Sequence, residues 1–562
     1  MFGLTDSRNG EQMDSVNGTR HPDVVILDGT VWTGVAGERG VQALAITGNR
    51  VSATGTNIEV RDLIGPRTEV ITAGGNTVMP GIVDAHNHVR LGSNPRAVSL
   101  FGATTLDEIR ARIAEHVRSN PEIEWIEGEG WSYQAVPGGG PTAAMIDDVC
   151  DGKPAWLFSY DVHTVWLNSE GLRRWGQPEG AATLPFGRLE IDAESGRPTG
   201  WVHDFAVMGI HPRGQRALEA MIPGYGKEAQ YERLVQNVRD ASRFGITTIV
   251  EPQNGLADIQ LFTRAQAERE LRSRLVAALI HTPEDSADTL DDVVAAKRAY
   301  SDAHLRLGPV KLYIDDVVEP CTAAMLAPYA TPPHGVGETF WSPAEFADLI
   351  VRLEDLRLQA FVHGTGDRGI RTALDGFAAG RAAHGVRDTR HQIVHVECLS
   401  GPDVGRFADL GVVACMQPRH CAPDVAHEWR DNVGPDRERY AWAMRSLADS
   451  GATLAFSSDW NVAEMDPMVG IYTALTRADL HGNDAWNLAE AVDLQTTLTA
   501  YTHGSAYANF LDDQLGTLDV GKLADVIVLS NDLQSIAPAE ILETTVTHTI
   551  VDGEVVYRSG ER

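Results

Sequence analysis

His86 and His88 form the first pattern in this chain that can do chemistry. The two imidazoles are separated by Asn87, and they follow the apolar run IVDA and the turn residues MPG. Side chains two positions apart on a strand lie on the same face, so both rings can reach one metal ion. An isolated H-x-H is more often a pair of partly exposed loop histidines. The preceding run favours metal binding at this position.

Lys311 lies inside the apolar run PVKLYI. Burying a charged ammonium is costly, and burial lowers the pKa of a lysine until the amine becomes a neutral nucleophile. A neutral buried amine can react with carbon dioxide to give an anionic carbamate, which can bridge two metal ions. The alternative is a lysine at a strand end whose amine reaches solvent. For Lys311 taken alone, the lysine that reaches solvent is the preferred interpretation.

Three further polar residues follow β-prone runs: His363 in FVHGTGD, His395 in IVHVE and Asp459 in LAFSSD. The two imidazoles can bind a metal there, with Asp367 and Glu397 accepting hydrogen bonds from the imidazole N–H groups. The alternative is a hydrogen-bonded core or capping histidine. A carboxylate at position 459 can bind a metal and take a proton from a water bound to it. It can also cap a helix.

Most of these residues fall at the carboxyl ends of apolar runs. Helical stretches such as TLDEIRARIAEHVRSN separate some of the runs, and this alternation predicts a parallel α/β sheet. In (β/α)8 barrels the catalytic residues lie at the carboxyl ends of the strands, so we predict a TIM-like (β/α)8 barrel. Ten runs are strand candidates: 81–89, 125–131, 155–162, 246–252, 275–281, 309–315, 360–366, 393–397, 412–418 and 453–459.

The number of candidate strands bears on the domain organisation. Ten runs exceed the eight of a closed barrel, so at least two must belong to an insertion, for which we propose residues 132–225. The segments 23–80 and 516–562 consist of short β-prone runs broken by Gly and Asn, and they predict one small β-sandwich formed by both chain ends. The barrel then spans 81–515, and residues 1–22 are expected to be a disordered tail.

Charge excludes some classes of partner. The 562 residues include 47 Lys plus Arg and 78 Asp plus Glu, which gives a net charge of −31. Such a surface repels nucleic acids and anionic membranes. Solubility is the preferred explanation of the acidity, and attraction of a cationic substrate is the alternative. The five cysteines form no C-x-x-C pair and the N-terminus has no apolar signal core, so we expect a cytoplasmic protein.

The ordered motifs resemble the amidohydrolase superfamily, and within it the branch of N-substituted formamide deformylase-like metal-dependent hydrolases (amidohydrolase family 3). The resemblance extends from about residue 23 to residue 560. Its motifs are MPGIVDAHNH (79–88), WIEGEGW (125–131), YDVHTVWLNS (160–169), GITTIVEP (245–252), VKLYID (310–315), HGTGDRGI (363–370), RHQIVHVE (390–397), MQPRH (416–420), SSDWNV (457–462) and GTLDVGKLADVIVL (516–529).

The resemblance implies a set of metal-binding residues and a reaction. Asp459 would also shuttle the proton of a metal-activated hydroxide, and Lys311 would be a carbamate that bridges two ions. The reaction would be hydrolysis of the C–N bond of a small N-substituted amide, carried out by a homodimer. The implied ligands of one or two divalent ions, with zinc preferred, are His86, His88, Lys311, His363, His395 and Asp459.

Substrate contacts are also implied. His163 in DVHTVWLN and His420 in MQPRH match motifs of the branch at positions that suggest contact with the substrate. Trp131 belongs to an aromatic-rich segment, 125–166, which can favour an apolar or aryl group, although core packing explains these rings equally well. Asp315-Asp316 departs from the usual Asp-Gly, so substrate specificity cannot be carried over from the branch.

Two alternatives remain at this stage. The same metal site can support a lyase or isomerase, for example a decarboxylase, instead of a hydrolase. The chain can also be a non-enzymatic scaffold, but scaffolding relatives tend to lose metal ligands and all six ligand-type residues are retained here.

Overall fold

A computed structural model describes residues 21–92, 94–161, 163–175, 183–184, 187–203, 222–332 and 334–561. The predicted disordered tail, residues 1–22, lies outside this part of the chain except for His21 and Pro22. None of the described helices is long and apolar enough to cross a membrane.

Eight parallel strands form the centre of the molecule, and each pairs with the next in chain order. The Ala85 N–H donates to the Phe456 carbonyl at 3.3 Å and the Asp459 N–H donates to the His86 carbonyl at 2.9 Å, so the first and last strands meet. The predicted TIM-like barrel is therefore confirmed. The strands are β1 (Ile82–Asp84), β2 (Ile246–Asn254), β3 (Arg274–Ile280), β4 (Leu305–Tyr313), β5 (Ala360–Gly364), β6 (Gln392–His395), β7 (Val413–Met416) and β8 (Leu454–Phe456).

Helices separate the barrel strands. The helix Pro343–Asp355 starts with a capping box between Ser342 and Glu345, and its buried face packs on the helix Asp367–His384. A Cβ at Gly376 would lie 2.6 Å from the Phe346 ring, so a glycine is needed for this close approach. The other α-helices of the barrel region are Lys227–Arg243, Ile259–Ala267, Thr289–Tyr300, Val404–Leu410, His427–Val433, Met444–Asp449, Pro467–Thr476, Leu494–Thr499 and Ser505–Ala508.

A second sheet of seven strands lies between β1 and β2 in the sequence. Its strands 126–131 and 155–159 pair with each other in parallel, so the predicted start of the insertion at residue 132 is wrong. The apolar pattern identifies a buried strand but not the sheet that it joins. In spatial order the strands are Thr183–Leu184, Gly187–Ile191, Pro198–His203, Thr164–Leu167, Ala155–Ser159, Ile126–Trp131 and Val98–Ser99, and the helices Leu106–Ser119 and Ser169–Trp175 accompany them.

The two chain ends together form a small β-sandwich. A buried apolar cluster joins its sheets, with Ile26 and Leu44 from one and Val526 and Ile550 from the other. One sheet contains Arg50–Gly55, Ala43–Thr47, Val24–Leu27 and Glu69–Thr72, and the helix Asn57–Arg61 follows its strand 50–55. The other contains Thr30–Val31, Thr77–Pro80, Val526–Leu529, Val546–Val551 and Glu554–Arg558.

Arg274 at the start of β3 joins the barrel to the sandwich. Its guanidinium binds both carboxylate oxygens of Asp525, at 2.8 and 3.0 Å, and both side chains are at most 4% exposed. Arg274 also pairs with Asp552 at 2.8 Å, so loss of Asp525 would weaken this buried ion-pair network, and removing a member of a buried ion pair typically costs about 3–5 kcal/mol. We expect Asp525→Ala to lower the thermal unfolding midpoint strongly, as measured by calorimetry. Asp513→Ala, at an exposed position, is the control, and an equal midpoint for both variants would contradict this.

Candidate metal centre and active site

The segments after β1 and β8 are tied together by Asp84, the last residue of β1. Its carboxylate accepts the Ser458 N–H at 2.9 Å, the Ser458 hydroxyl at 2.5 Å and the Asn87 amide at 2.9 Å. Asn87, the middle residue of the H-x-H pattern, is therefore fixed by a hydrogen bond within the protein. The two flanking rings, His86 and His88, are left facing the barrel axis and line the cavity at its mouth.

The carboxylate of Asp459 is the point on which these imidazoles converge. Nε2 of His86 and Nε2 of His88 lie 3.3 and 3.1 Å from its Oδ1, and Nδ1 of His395 lies 3.6 Å from its Oδ2. Nε2 of His420 lies 3.9 Å from Oδ2. Asp459 and His395 have φ values of +57° and +78°, a region that costs a non-glycine residue about 1–3 kcal/mol. Such strain is concentrated at functional sites.

Lys311 contributes a buried amine to the same cavity. The residue is 0% exposed and its Nζ has no hydrogen-bond partner among the described residues. Two aromatic rings face Nζ, and their centroids lie 4.7 Å (Tyr313) and 5.1 Å (Phe361) from it. Burial lowers the pKa of the amine to about 7. The alternative of a lysine that reaches solvent is therefore wrong.

Protein oxygens orient the remaining two imidazoles. Nε2 of His363 donates to the Asp316 carbonyl at 3.3 Å, and Nδ1 of His395 donates to Oε1 of Gln417 at 2.9 Å. Each ring then keeps its other nitrogen as an acceptor that can bind a cation. The Gln417 amide in turn donates to the Ser457 hydroxyl at 2.9 Å, which fixes its orientation.

The sequence predicts Asp367 and Glu397 as these acceptors, whereas the acceptors in the structure are the Asp316 carbonyl and the Gln417 side chain. Asp367 accepts the Leu326 N–H at 2.7 Å at the start of its helix. Glu397 lines the cavity, and its Oε2 has no hydrogen-bond partner among the described residues. The sequence did not predict Gln417 as the acceptor for the His395 ring, although Gln417 belongs to the motif MQPRH. Closeness in sequence does not show which side-chain oxygen reaches an imidazole.

The three predicted substrate contacts separate into two groups. His163 and His420 line the cavity, and Nδ1 of His163 lies 2.7 Å from Oδ1 of Asp316. Burial lowers the pKa of His163, but the hydrogen bond and charge of Asp316 outweigh burial and raise it. Trp131 is 0% exposed within the core of the inserted sheet, where its indole donates to the Leu157 carbonyl at 3.0 Å. Its assignment to the substrate is wrong.

Several lining residues were not predicted. They come from the inserted sheet, from the barrel strands β2 and β4 and from loops at the barrel mouth, and most of them carry no local pattern that marks them as functional. Tyr313 is the exception, since it follows Lys311 by two positions on the same strand face. The unpredicted lining residues include Asp161, Gln253, Tyr313, Glu319, Trp442 and Asn461.

The donor set fits a divalent cation. The ligand atoms of His86, His395 and Asp459 lie within 4.8 Å of one another and are buried. Nitrogen and carboxylate donors that face each other without an intervening proton donor are typical of a zinc-type site. The buried Lys311 amine has no hydrogen-bond partner among the described residues. An anion that bridges two metal ions could therefore lie beside it.

Comparison with known proteins agrees with this geometry. A family model described as the amidohydrolase family matches residues 69–557. The chain belongs to the amidohydrolase family. N-substituted formamide deformylase of Arthrobacter pascens is 28% identical over 558 residues, which cover 96% of this chain and 99% of that protein. The predicted resemblance to that branch is confirmed.

Two further similarities extend over most of this amidohydrolase. Protein LONG AFTER FAR-RED 3 of Arabidopsis thaliana is 28% identical over 549 residues, which cover 95% of this chain and 91% of that protein. A solved structure, an uncharacterized metal-dependent hydrolase from Pyrococcus furiosus, matches with a TM-score of 0.69 at 24% identity, and the match covers 92% of this chain and 99% of that one. This structural match supports the fold.

Gln417 offers a test of how the imidazoles are held. Loss of an oxygen that orients a metal-binding imidazole typically costs about 10–100-fold in metal affinity or activity. We expect Gln417→Leu to weaken metal binding by that amount, as measured by equilibrium competition with a chelating dye. Gln534→Leu, at an exposed position, is the control. Unchanged metal affinity in Gln417→Leu would show that the His395 ring needs no such support.

Proposed function

We propose that this amidohydrolase hydrolyses the C–N bond of a small N-substituted amide, with one or two divalent cations bound at the barrel mouth. The observation that carries the proposal is the convergence of His86, His88 and His395 on the carboxylate of Asp459, beside the buried amine of Lys311. The three imidazoles and the carboxylate lie at the carboxyl ends of barrel strands, where (β/α)8 barrel enzymes carry their catalytic residues. Imidazole and carboxylate groups are also the ligands that hold the metal ions in metal-assisted hydrolysis.

The residues divide into two groups around the cavity. His86, His88 and Asp459 would hold one cation, for which zinc suits the nitrogen and carboxylate donors. His363 and His395 would hold a second cation together with a carbamate formed on Lys311. When bound, the cations supply an acidified water and a polarised substrate carbonyl. The carbamate forms when the neutral amine adds to carbon dioxide and releases one proton.

Asp459 moves the proton in this proposal. Its carboxylate would accept a proton from the attacking water and deliver it to the leaving nitrogen, so that the amine departs neutral. The His163 imidazole, held by Asp316, lines the same cavity and would donate a hydrogen bond to the substrate oxygen as negative charge develops there. His420 would contact the substrate from the opposite loop.

The substrate class rests on similarity and on the shape of the site. One relative is an N-substituted formamide deformylase, and the candidate ligands line a single cavity at the barrel mouth. A concave site of this kind is typical of small-molecule binding. We further propose that the protein acts in the cytoplasm as a homodimer.

A hydrolysis screen tests this function. Enzyme loaded with zinc or manganese would be incubated with N-substituted formamides, other N-acyl amines, cyclic amides and carbamates, and the products identified by mass spectrometry. We expect cleavage of one class, its loss after chelation and its return when the metal is added back. Oxygen-18 from labelled water should appear in the acid product. A product without labelled oxygen would indicate a lyase or isomerase, and no reaction with metal bound would contradict amide hydrolysis.

A further inference from the structure

The cavity at the barrel mouth has an acidic side that the proposed hydrolysis does not use. We call Asp161, Glu319 and Glu397 the acidic wall, and all three line the same cavity as the candidate metal ligands. They come from three separate segments, namely the inserted sheet, the loop after β4 and the loop after β6. Among the lining residues that the structure describes, Lys311 is the one lysine or arginine. The cavity therefore offers carboxylates with few fixed positive charges to balance them.

Glu397 is the strongest sign that the acidic wall has a ligand. The residue is 6% exposed, yet its Oε2 has no hydrogen-bond partner among the described residues. Nε2 of His420, which lines the cavity as well, also has no such partner. A buried carboxylate oxygen without a partner is costly, since its desolvation is not compensated. A molecule in the cavity that donates hydrogen bonds would satisfy it.

Electrostatics shows which sign of charge the ligand should have. Burial raises the pKa of Glu319 to about 8, and the charges of Asp161 and Glu428 add to this effect. Buried carboxylates whose charges act on one another repel unless a proton or a cation lies between them. Glu428 stands behind the wall, where it accepts a hydrogen bond from the Tyr160 hydroxyl at 3.3 Å. A cation in the cavity would relieve this repulsion.

The aromatic lining favours an organic cation over a metal ion at this wall. Tyr160, Tyr313 and Trp442 line the cavity, and the backbone N–H of Trp442 donates to the backbone carbonyl of Glu397 at 2.9 Å, which makes these two residues neighbours. Aromatic faces attract ammonium and guanidinium groups. Carboxylates and aromatic rings together suit an organic cation. Of the wall, Glu397 also lies with His395 and His420 in a group whose ligand atoms are within 4.8 Å of one another and could hold a metal ion, so the metal content of a Glu397 variant is part of the test.

We propose that the acidic wall binds a positively charged nitrogen of the substrate, an ammonium, amidinium or guanidinium group, while the amide lies at the metal centre. The inference rests on the proposed amide hydrolysis and narrows its substrate to amides that carry a cationic arm. The net charge of −31 would favour the approach of such molecules.

Matched substrates test the proposal on the metal-loaded enzyme. One is a diamine acylated on one nitrogen, and the other is the same amide of an alkylamine of equal length, in which a methyl group replaces the ammonium. We expect kcat/KM to be at least about tenfold higher for the charged amide. Glu319→Gln and Glu397→Gln should each lower kcat/KM for the charged amide about tenfold more than for the neutral one. Glu122→Gln, at an exposed position, should not change the ratio.

Binding measurements keep this test separate from the test of hydrolysis. By calorimetry on the zinc-loaded enzyme, an alkylguanidinium ion should bind at least about tenfold more tightly than the neutral alkylurea of the same length and shape, and Glu319→Gln should remove the difference. This measurement does not require turnover, so it tests the acidic wall even if the amide screen shows no hydrolysis. Equal binding of the two ligands would overturn the proposal. So would a loss of zinc in Glu397→Gln, measured by elemental analysis, because Glu397 would then be a metal ligand.

Discussion

Asp459→Asn should lower kcat/KM by about three orders of magnitude, because the substitution removes both a proton acceptor and a carboxylate metal ligand. General base catalysis by a positioned carboxylate contributes about 10²–10⁴-fold, and an amide cannot accept the proton. Asp459 is also the carboxylate nearest to His86 and His88, at 3.3 and 3.1 Å from their Nε2 atoms. An amide oxygen is a weaker metal ligand than a carboxylate. Steady-state kinetics with metal content measured in parallel would separate these two contributions.

The backbone at this position makes the substitution informative. Asp459 has a φ of +57°, and asparagine tolerates this left-handed region as well as aspartate does. The fold should therefore survive, and the loss should be chemical. Asp484→Asn is a matched control, since Asp484 is exposed and has a φ of +49°. If Asp459→Asn kept its metal and retained activity within tenfold of the wild type, the role of Asp459 in proton transfer would be ruled out.

The barrel and its polar strand ends could be predicted from the sequence, because both depend on local patterns. A buried parallel strand is a continuous apolar run, and a run that ends in histidine or aspartate shows what lies at the barrel mouth. Eight of the ten predicted runs are the barrel strands. The other two, 125–131 and 155–162, have the same composition but pair in the inserted sheet. Pairing between distant segments carries no local signal.

The failed site assignments have physical causes of the same kind. Glu397 stands two positions after His395, so on a regular strand both side chains would share one face. His395 and Val396 instead have φ values of +78° and +50°, and the strand geometry ends there. Glu397 therefore makes no hydrogen bond to the ring that it was expected to hold, although its carboxylate stays within 4.8 Å of a nitrogen of His395 and of His420. The acidic wall depends on where the inserted sheet docks, and a single sequence does not specify this.

Lys311→Ala should lower kcat/KM by about 100-fold or more, because the proposed bridge between two cations disappears. Two-metal sites stabilise both the attacking and the leaving groups, and loss of one ion removes part of that stabilisation. Lys311 is 0% exposed and its Nζ has no partner among the described residues, so alanine would leave space in the cavity wall. A small carboxylate such as acetate should enter this space and restore part of the activity. Lys227→Ala, at an exposed helix start, is the control.

The carbamate itself can be observed by carbon-13 NMR after incubation of metal-free enzyme with labelled bicarbonate. Carbon dioxide reacts with the neutral amine, and burial lowers the pKa of Lys311 to about 7. The neutral fraction, and with it the rate of carbamylation, should therefore rise as the pH increases through about 7. Full activity of Lys311→Ala with one metal bound would contradict the bridge. The chemistry would then belong to a single ion held by His86, His88 and Asp459, because no other described carboxylate faces both imidazoles.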